Sequence, residues 1–482
     1  MFYLFFSLVI VAILTAFIIC KFSKRIDKEK FNKIIAKILK ISVITYCALS
    51  LLSILLPDAM LLSYSYEETL SSPISVGIAM LKWFSCLAFI MLPLAVFYKN
   101  RIIRNIAVYF CTIITILQII FYPQFLEMFT SSIGRGLNSI SVLSDGFKEF
   151  LLNPILRSTY IGIIWGLELL IPITLAIQEK HVINIKNWKE ILLTVGILLI
   201  TLISCIPIYI PQHLFGYTDL IFEAWTLPHF IWLALVVVEI ISLYFIFRKK
   251  STDLKMIMLF ILSLSLLMQY NQMFGAISLN IERLPFQLCN IGSYLILVAL
   301  ITKSKKIFDF TVIVNVVGVI LALAVPDLDG EGLFYLYNMH FILEHTNVLV
   351  VPVLSLLLGI FPRLDKKSLK HFFFGFLIYY VCVFVLGTVF NGIALATDNS
   401  FYYANYLFMF DQATAADLIP FMGKLFDFNF RIGIFTFYPL MQIIVYVVFN
   451  LICFAIFGVI QLIYKIKDRI SKQRNNPQES VN

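Results

Sequence analysis

The chain has 482 residues, of which 61% are apolar and 13% charged, and its formal net charge is +9. The apolar fraction lies far above that of soluble globular proteins and the charged fraction far below it, which excludes an ordinary soluble enzyme or binding domain. The composition predicts an all-α, polytopic transmembrane helical bundle.

Thirteen apolar segments are long enough to cross the membrane as helices, which takes about 20 residues each. Uninterrupted apolar runs favour helices over a β-barrel, whose strands alternate apolar and polar residues. In chain order the predicted spans lie near residues 2–20, 38–56, 76–98, 102–122, 158–177, 191–210, 229–247, 256–273, 286–302, 307–325, 340–361, 371–391 and 436–463.

Basic residues concentrate in every second loop between these spans. The alternate loops and the C-terminal tail hold 30 of the 37 Lys and Arg residues. Because short basic loops are retained on the cytoplasmic side, this pattern predicts an outer N-terminus, a cytoplasmic C-terminus and a multi-pass protein of the cell membrane. The net charge then reflects topology, so membrane lipids are the expected partners and nucleic acid is not.

The two halves of the chain repeat the spacing of a cysteine and a proline. Cys86 precedes Pro123 by 37 residues, and Cys289 precedes Pro326 by the same number. In each half a basic loop follows the helix that carries the cysteine. Since six spans return the chain to its starting side, the spacing predicts a parallel duplication of a six-helix unit.

The second half carries a histidine that the first half lacks. His345 lies seven residues before Pro352, whereas Trp165 lies seven residues before Pro172. If the halves are copies of one unit, Trp165 occupies the position of His345. A Cys/His pair would then persist in the second copy alone.

Cys289 and His345 are the candidate catalytic pair. The predicted topology places Cys289 at the outer entry to one span and His345 about one turn into another from the same side. A cysteine nucleophile needs a base or a cation to form thiolate near neutral pH, and an imidazole serves when a third polar group orients it. Asp327, Asn338 or His340 is the candidate third group. The structural alternative is a buried thiol and a histidine that bridges helices.

The second half also carries a set of residues that is typical of a known family. The set consists of His229 at the opening of an apolar helix, Leu284–Pro285, Leu288–Cys289, His345 before Pro352, and Asn391 ahead of Asn405–Tyr406. On these residues, segment 229–464 resembles the YwaF family of bacterial multi-pass membrane proteins, whose vertebrate relatives are regarded as phospholipid acyltransferases. The family pattern has histidine where this chain has Gln287. The repeat and the resemblance together divide the chain into a six-helix unit (1–210), an outer linker (211–228), the YwaF-like domain (229–464) and a basic tail (465–482).

This resemblance implies acyl transfer through a covalent intermediate. Cys289 would attack the acyl ester of a lipid, His345 would move protons, and a second alcohol would accept the acyl group. Helix capping and interfacial anchoring are the structural alternative for the polar residues nearby. As binding residues for the headgroup or the oxyanion, the expected set is Gln287, Asn290, Asn338, His340, Asn391, Asn405 and Tyr406.

Carboxylates within the spans indicate a different function. Glu168 and Glu239 lie in the middle of the fifth and seventh predicted spans, and Glu344 lies in the eleventh. Such groups are costly in hydrocarbon unless they are paired or face a cavity. Glu168 and Glu239 would therefore suit a transporter of a small solute or ion. Interhelical hydrogen bonding by protonated carboxyls is the structural alternative.

A third hypothesis is a non-enzymatic membrane scaffold. The outer loop 392–435 is rich in aromatic residues and would be its docking surface, although aromatic residues at a membrane border usually lie among headgroups. The eight cysteines contain no CxxC pair, and no cofactor motif accompanies the six histidines. No cofactor, metal site or disulfide framework is therefore expected.

Overall fold

A computed structural model gives the fold, and the all-α, polytopic class predicted from composition is confirmed. Helices account for most of the chain, and a single short hairpin is the sheet of the described part. The structure describes residues 2–51, 73–124, 142–178, 187–208, 210–216, 218–276, 281–324, 326, 332–412 and 423–475.

The described residues form sixteen α-helices, numbered in chain order. Those of the first half are α1 (Phe2–Ser23), α2 (Lys28–Leu51), α3 (Pro73–Phe97), α4 (Arg101–Ile120), α5 (Asp145–Leu152), α6 (Pro154–Gln178), α7 (Trp188–Ser204) and α8 (Ile210–Phe215). Those of the second half are α9 (Leu227–Phe247), α10 (Thr252–Ala276), α11 (Leu288–Thr302), α12 (Lys305–Ala324), α13 (Leu336–Leu357), α14 (Lys366–Thr397), α15 (Gly423–Phe426) and α16 (Pro439–Asn475). Strands β1 (Phe430–Ile432) and β2 (Phe435–Phe437) form an antiparallel hairpin before α16.

Twelve of the thirteen predicted spans correspond to helices, within the described residues, that are long and apolar enough to cross a membrane. The remaining one, predicted over 191–210, is α7, which has 17 residues. At 1.5 Å per residue it is about 25 Å long, somewhat shorter than a hydrocarbon core of about 30 Å. Pro207 and Pro211 follow its end, and proline does not continue a helix. The orientation of the termini stays a prediction.

The chain forms two compact units whose segments alternate along the sequence. The first unit comprises Met1–Leu235, Ile246–Leu279 and Leu328–Asn347, and the second comprises Val236–Phe245, Asn280–Asp327 and Val348–Asn482. The units divide the chain by its contacts, whereas the predicted boundaries at residues 210 and 229 divide it by the repeat. Those domain boundaries stay a prediction.

In the first unit, α1 packs closely along α6. Glycine makes room for this approach, because a Cβ on Gly162 would lie 2.9 Å from Leu8 Cδ1. The ring of Phe5 stacks on Tyr122 with centroids 3.9 Å apart, and Trp165 meets both rings edge-on. Trp165, the residue that matches His345 in the predicted duplication, is therefore part of an aromatic core.

In the second unit, α12 packs against α11 and α14. Small residues again set the separation of the helices. A Cβ on Gly318 of α12 would lie 2.6 Å from Leu288 Cδ2, and one on Gly375 of α14 would lie 2.7 Å from Phe310 Cδ2. The larger side chain of each pair thus fills the space that glycine leaves, as expected where helices approach closely in a membrane.

A π-helical segment widens one helix in each half. It covers Ile106–Cys111 in α4 and Thr311–Asn315 in α12. Such segments are rare and often lie at functional sites. Both occur between the cysteine and proline landmarks of their half, which supports the predicted duplication. Sequence reasoning did not foresee either one.

Candidate functional site

Cys289 is the second residue of α11, which begins at Leu288. Its thiol is half-buried and donates a hydrogen bond to Asn290 Oδ1 at 3.2 Å. The N–H groups of a first helical turn lack intrahelical partners and carry partial positive charge. That field favours an anion at this position, as a thiolate nucleophile requires.

Two hydrogen bonds from other helices hold the start of α11. Tyr379 on α14 donates its phenol O–H to the carbonyl of Phe286 at 2.6 Å. Asn315, in the π-helical segment of α12, donates from Nδ2 to the carbonyl of Leu288 at 2.5 Å. A Cβ on Gly292 would lie 2.9 Å from the same Nδ2, so glycine there admits the amide. Asn315 was missed from the sequence, where a lone amide within an apolar run was its signal.

Gln287, the residue before α11, hydrogen-bonds a loop that is distant in the sequence. Gln287 Nε2 donates to the carbonyl of Asn405 at 3.2 Å, and its Oε1 accepts from the N–H of Leu407 at 3.3 Å. Leu407 and Phe408 both have positive φ, at 54° and 56°, which is unusual for bulky residues. Gln287 thus fixes a strained turn of the 399–412 segment beside α11, and its amide does not cap the first turn of that helix.

Asn391 on α14 makes a similar clamp on the same segment. Its Nδ2 donates to the carbonyl of Ala404 at 2.8 Å, and its Oδ1 accepts from the N–H of Ala404 at 3.0 Å. Asn405 Oδ1 accepts from the N–H of Phe410 at 3.0 Å. The structure therefore brings Gln287, Asn391 and Asn405 together, and it engages their amides with backbone groups of one segment.

Tyr406 belongs to the same assembly. Its phenol O–H donates to the carbonyl of Ile281 at 2.5 Å, and its ring meets Phe286 edge-on at 5.7 Å. Burial raises the pKa of Tyr406 above its usual range, and the charge of Glu282 raises it further. The phenol is consequently a hydrogen-bond donor at every physiological pH, suited to hold the segment in place.

His345 lies on α13 in the first unit and is buried. Its Nδ1 is 2.8 Å from the carbonyl of Phe341, which can only accept, so Nδ1 carries the proton and Nε2 the lone pair. The imidazole ring lies 4.1 Å from the Phe341 ring. One residue on, Thr346 accepts a hydrogen bond from Trp232 Nε1 at 2.8 Å. The imidazole is thus held in the tautomer that a general base needs.

His340 and Glu344 form a buried pair one turn apart on α13. His340 Nε2 lies 3.1 Å from Glu344 Oε2, and both side chains are almost wholly inaccessible. Among the described residues, His340 Nδ1 and Glu344 Oε1 have no hydrogen-bond partner. Asn338 is also buried and donates from Nδ2 to the carbonyl of Gly332 at 3.0 Å. The four-residue spacing of His340 and Glu344 is the signal that would have predicted this pair.

Two of the predicted catalytic contacts stay predictions. Asp327 lies outside the described residues. Cys289 belongs to the second unit and His345 to the first. Their pairing therefore stays a prediction from the sequence.

The two intramembrane carboxylates have different surroundings. Glu168 on α6 is buried in the first unit, where Oε1 accepts from the Tyr46 phenol at 2.9 Å and Oε2 accepts from the Thr115 hydroxyl at 3.2 Å. Glu239 on α9 is half-buried and makes no hydrogen bond to the rest of the described chain. Glu168 thus fits the structural interpretation of interhelical hydrogen bonding, whereas Glu239 does not.

A buried ionic cluster at the start of α12 was not predicted. Asp309 is fully inaccessible, and its carboxylate accepts from Lys305 Nζ at 2.9 and 3.1 Å and from His371 Nδ1 at 2.7 Å. Lys305 also donates to the hydroxyl of Ser368 at 2.6 Å. The four-residue spacing of Lys305 and Asp309 is its sequence signal. Within the described residues, no group of three or more His, Cys, Asp or Glu side chains is arranged to hold a metal ion.

A comparison with models of known protein families gives a match to the second half of the chain. Residues 224–461 match the model of the TMEM164 family, a family of multi-pass membrane proteins. The protein is an integral membrane protein. The matched residues nearly coincide with the 229–464 segment for which a resemblance was predicted, although the match carries the name TMEM164 rather than YwaF. No curated protein and no solved structure matches the chain.

Proposed function

We propose that the second half of the chain is a lipid acyltransferase of the cell membrane with Cys289 as its nucleophile. The observation that carries this proposal is the thiol at the second residue of α11, half-buried and beside the amide of Asn290. The start of that helix is fixed by Tyr379 and Asn315. A nucleophile held on a rigid helical start is pre-organised for attack.

The chemistry has two steps. In the first, the Cys289 thiolate attacks the carbonyl carbon of an acyl ester, a C–S bond forms, the ester C–O bond breaks, and the leaving alkoxide takes a proton. In the second, an acceptor alcohol gives up its proton and attacks the thioester, a C–O bond forms, and the C–S bond breaks to restore the thiolate. No oxidant or metal ion enters this balance.

Backbone and amide groups of the same turn would stabilise the charge that develops on the substrate oxygen. The Gln287 side chain does not cap this turn, because its amide is engaged with Asn405 and Leu407. The N–H of Asn290 is therefore the proposed oxyanion donor. Rotation of the Asn290 amide would also present its NH₂ group to the thiolate. Gln287, Asn391, Asn405 and Tyr406 would shape the substrate-binding surface by holding the 399–412 segment.

His345 is proposed as the proton carrier on the grounds of its sequence position and its tautomer. With Nδ1–H bonded to Phe341, Nε2 is the basic nitrogen. Its role is separable from that of Cys289 by experiment. His345→Gln should slow acyl transfer while an acylated or alkylated Cys289 can still form, whereas Cys289→Ser removes the nucleophile.

The decisive experiment detects a hydroxylamine-labile acyl group on Cys289. Purified protein is reconstituted in vesicles of phosphatidylcholine and phosphatidylglycerol, and peptides are analysed by mass spectrometry. Cys382, an exposed cysteine of the same unit, supplies the matched control. Acylation should persist in Cys382→Ser and vanish in Cys289→Ser. An unmodified Cys289 in folded protein, or equal acylation of Cys382, would refute the proposal.

Transport of a small solute or ion is the second candidate, and Glu239 is the observation that favours it. A half-buried carboxyl within a span, with no hydrogen bond to the described residues, is a group that can bind a proton or a cation. Vesicles with an internal pH dye would report proton uptake, and Glu239→Gln would abolish it. Uptake that is indifferent to this substitution would exclude Glu239 as the carrier.

A further inference from the structure

The short hairpin before α16 exposes large apolar side chains. Gly433, with φ of 60°, makes its turn between two isoleucines. Ile432 is 61% exposed, and apolar neighbours on the hairpin and the residues leading to it are exposed as well. A hairpin with such a surface is unfavourable in water and invites association. The exposed apolar set is Leu425, Phe428, Phe430, Ile432 and Ile434.

The hairpin has a fixed position on α14. A Cβ on Gly392 would lie 2.7 Å from Phe435 Cδ1 and 3.4 Å from Ile434 Cγ1, so the absence of a side chain there lets β2 rest directly on the helix. Five residues earlier, Gly387 likewise makes room for the Phe410 ring. Phe430 and Phe437 stack across the hairpin with centroids 5.3 Å apart. The hairpin is therefore packed against α14 on one face, and this packing fixes the exposure of its apolar residues on the other.

The surface on which it rests is the lipid-facing side of α14. Exposed apolar residues recur on that helix at steps of three and four residues, as on one face of a helix: Ile378, Val381, Val385 and Val389. Gly392 is the next position on the same face. The hairpin thus covers the end of a stripe that faces lipid in a membrane-spanning helix, and its own exposed apolar residues continue that stripe.

The chain that follows the hairpin shows the same continuity. Helix α16 begins two residues after β2 and carries its own exposed apolar stripe. The stripe consists of Leu440, Ile443, Val447 and Leu451. The hairpin therefore lies in sequence between two candidate membrane-spanning helices that each carry an exposed apolar stripe, and lipid is the occupant that such stripes favour.

From this continuity we propose that the β1–β2 hairpin is a membrane-contact element that inserts Ile432 and Ile434 among the acyl chains at the border of the bilayer. Arg431, between two apolar exposed residues, extends its guanidinium to lipid phosphates while its stem lies along the apolar surface. The hairpin would anchor the C-terminal end of α14. This inference rests on the spans and the hairpin alone and is independent of acyl transfer.

Depth-dependent fluorescence quenching tests the proposal. Ile432→Cys is labelled with a nitrobenzoxadiazole dye in a Cys382→Ser background, and the labelled background without the new cysteine is subtracted. The protein is reconstituted in phosphatidylcholine vesicles with or without lipid bearing a nitroxide at carbon 5 of the acyl chain. Lys424→Cys, at an exposed polar position on α15, is the matched control. Quenching by the nitroxide lipid should be about twofold or more greater at position 432 than at 424, and quenching by aqueous iodide should show the reverse order.

Each alternative occupant gives a different result. Strong iodide quenching at position 432 would place the tip in water and overturn the proposal. Protection from both quenchers would mean that a second copy or another protein covers the tip, which overturns it equally. Ile434→Cys provides a second labelled site if the first variant fails to fold. Addition of Ile432→Asp should lower the nitroxide quenching at 434, because a carboxylate opposes insertion among acyl chains.

Discussion

Replacing Asn391 by alanine separates a structural role of this residue from a substrate-binding one. The amide exchanges two hydrogen bonds with the backbone of Ala404, at 2.8 and 3.0 Å. Ala404 is fully buried. Alanine at position 391 removes both partners at once and leaves a buried N–H and a buried carbonyl without compensation.

The size of the effect follows from those two groups. Leaving a buried polar group unsatisfied costs about 1–3 kcal/mol, so the two backbone groups together predict a loss of about 2–6 kcal/mol in the free energy of unfolding. Water that enters the vacated space would reduce this figure toward its lower end. Asn399 offers a matched control on the same segment, since its Oδ1 accepts a bond from the N–H of Phe401 on a half-exposed turn. Asn399→Ala should cost about 1 kcal/mol or less.

Equilibrium unfolding in mixtures of dodecyl maltoside and dodecyl sulfate, followed by circular dichroism, measures both losses. If Asn391→Ala were no less stable than Asn399→Ala, the clamp would be energetically unimportant and the argument from buried backbone groups would fail. A variant of unchanged stability but weakened lipid binding would instead support the substrate-binding role predicted from the sequence.

Three further predictions rest on buried or capped carboxylates. Glu168→Ala should lower the free energy of unfolding by about 1–3 kcal/mol, because it strands the Tyr46 phenol, while Glu168→Gln should retain most stability by keeping one acceptor. A proton-transport role of Glu168 would instead abolish uptake in both variants, since neither side chain can carry a proton. Asp309→Ala should lower the free energy of unfolding by about 2 kcal/mol. This is less than the 3–5 kcal/mol of a fully buried pair, because the side chains of Lys305 and His371 are roughly one-quarter exposed. Equal stability of Asp309→Ala and wild type in the same unfolding assay would contradict this prediction. The backbone N–H of Ser368 and the charge of Lys305 hold the pKa of Asp365 below its ordinary value of 3.8. The carboxylate therefore contributes stability above that value, and this contribution is lost as pH falls through the lowered pKa. Asp365→Asn should remove this part of the acid dependence of unfolding.

The spans were predictable because hydrocarbon imposes a strong rule. A helix that satisfies its own backbone must be long and apolar, and that requirement is visible in the sequence at each of twelve helices. The exception, α7, has an ordinary apolar composition but ends early, where prolines at positions 207 and 211 follow it. The π-helical segments were not predictable, since one extra residue in a turn depends on packing against neighbours and leaves the apolar pattern unchanged.

The candidate site was predictable as a set of residues and not as a set of roles. Spacing and resemblance singled out Gln287, Asn391, Asn405 and Tyr406, and the structure brings all four to one segment. Their side chains bond backbone groups more than ten positions away, except that of Asn405, which accepts from the N–H of Phe410 five positions on. Partners of that kind leave no mark in the sequence, because any residue supplies the same carbonyl and N–H.

The hydrogen-bond partner of a polar side chain indicates whether that side chain has a structural or a chemical role in an apolar protein. A polar side chain in a membrane must satisfy its hydrogen bonds, and those that do so with backbone are engaged in holding the fold. By this criterion the amides of Gln287, Asn391 and Asn405 are structural first. Cys289, on a helical start that no side chain caps, and His345, with its basic nitrogen left by the Phe341 bond, retain reactive atoms. The acyl-transfer proposal therefore depends on the Cys289 thiol, which donates to the Asn290 amide, and on Nε2 of His345.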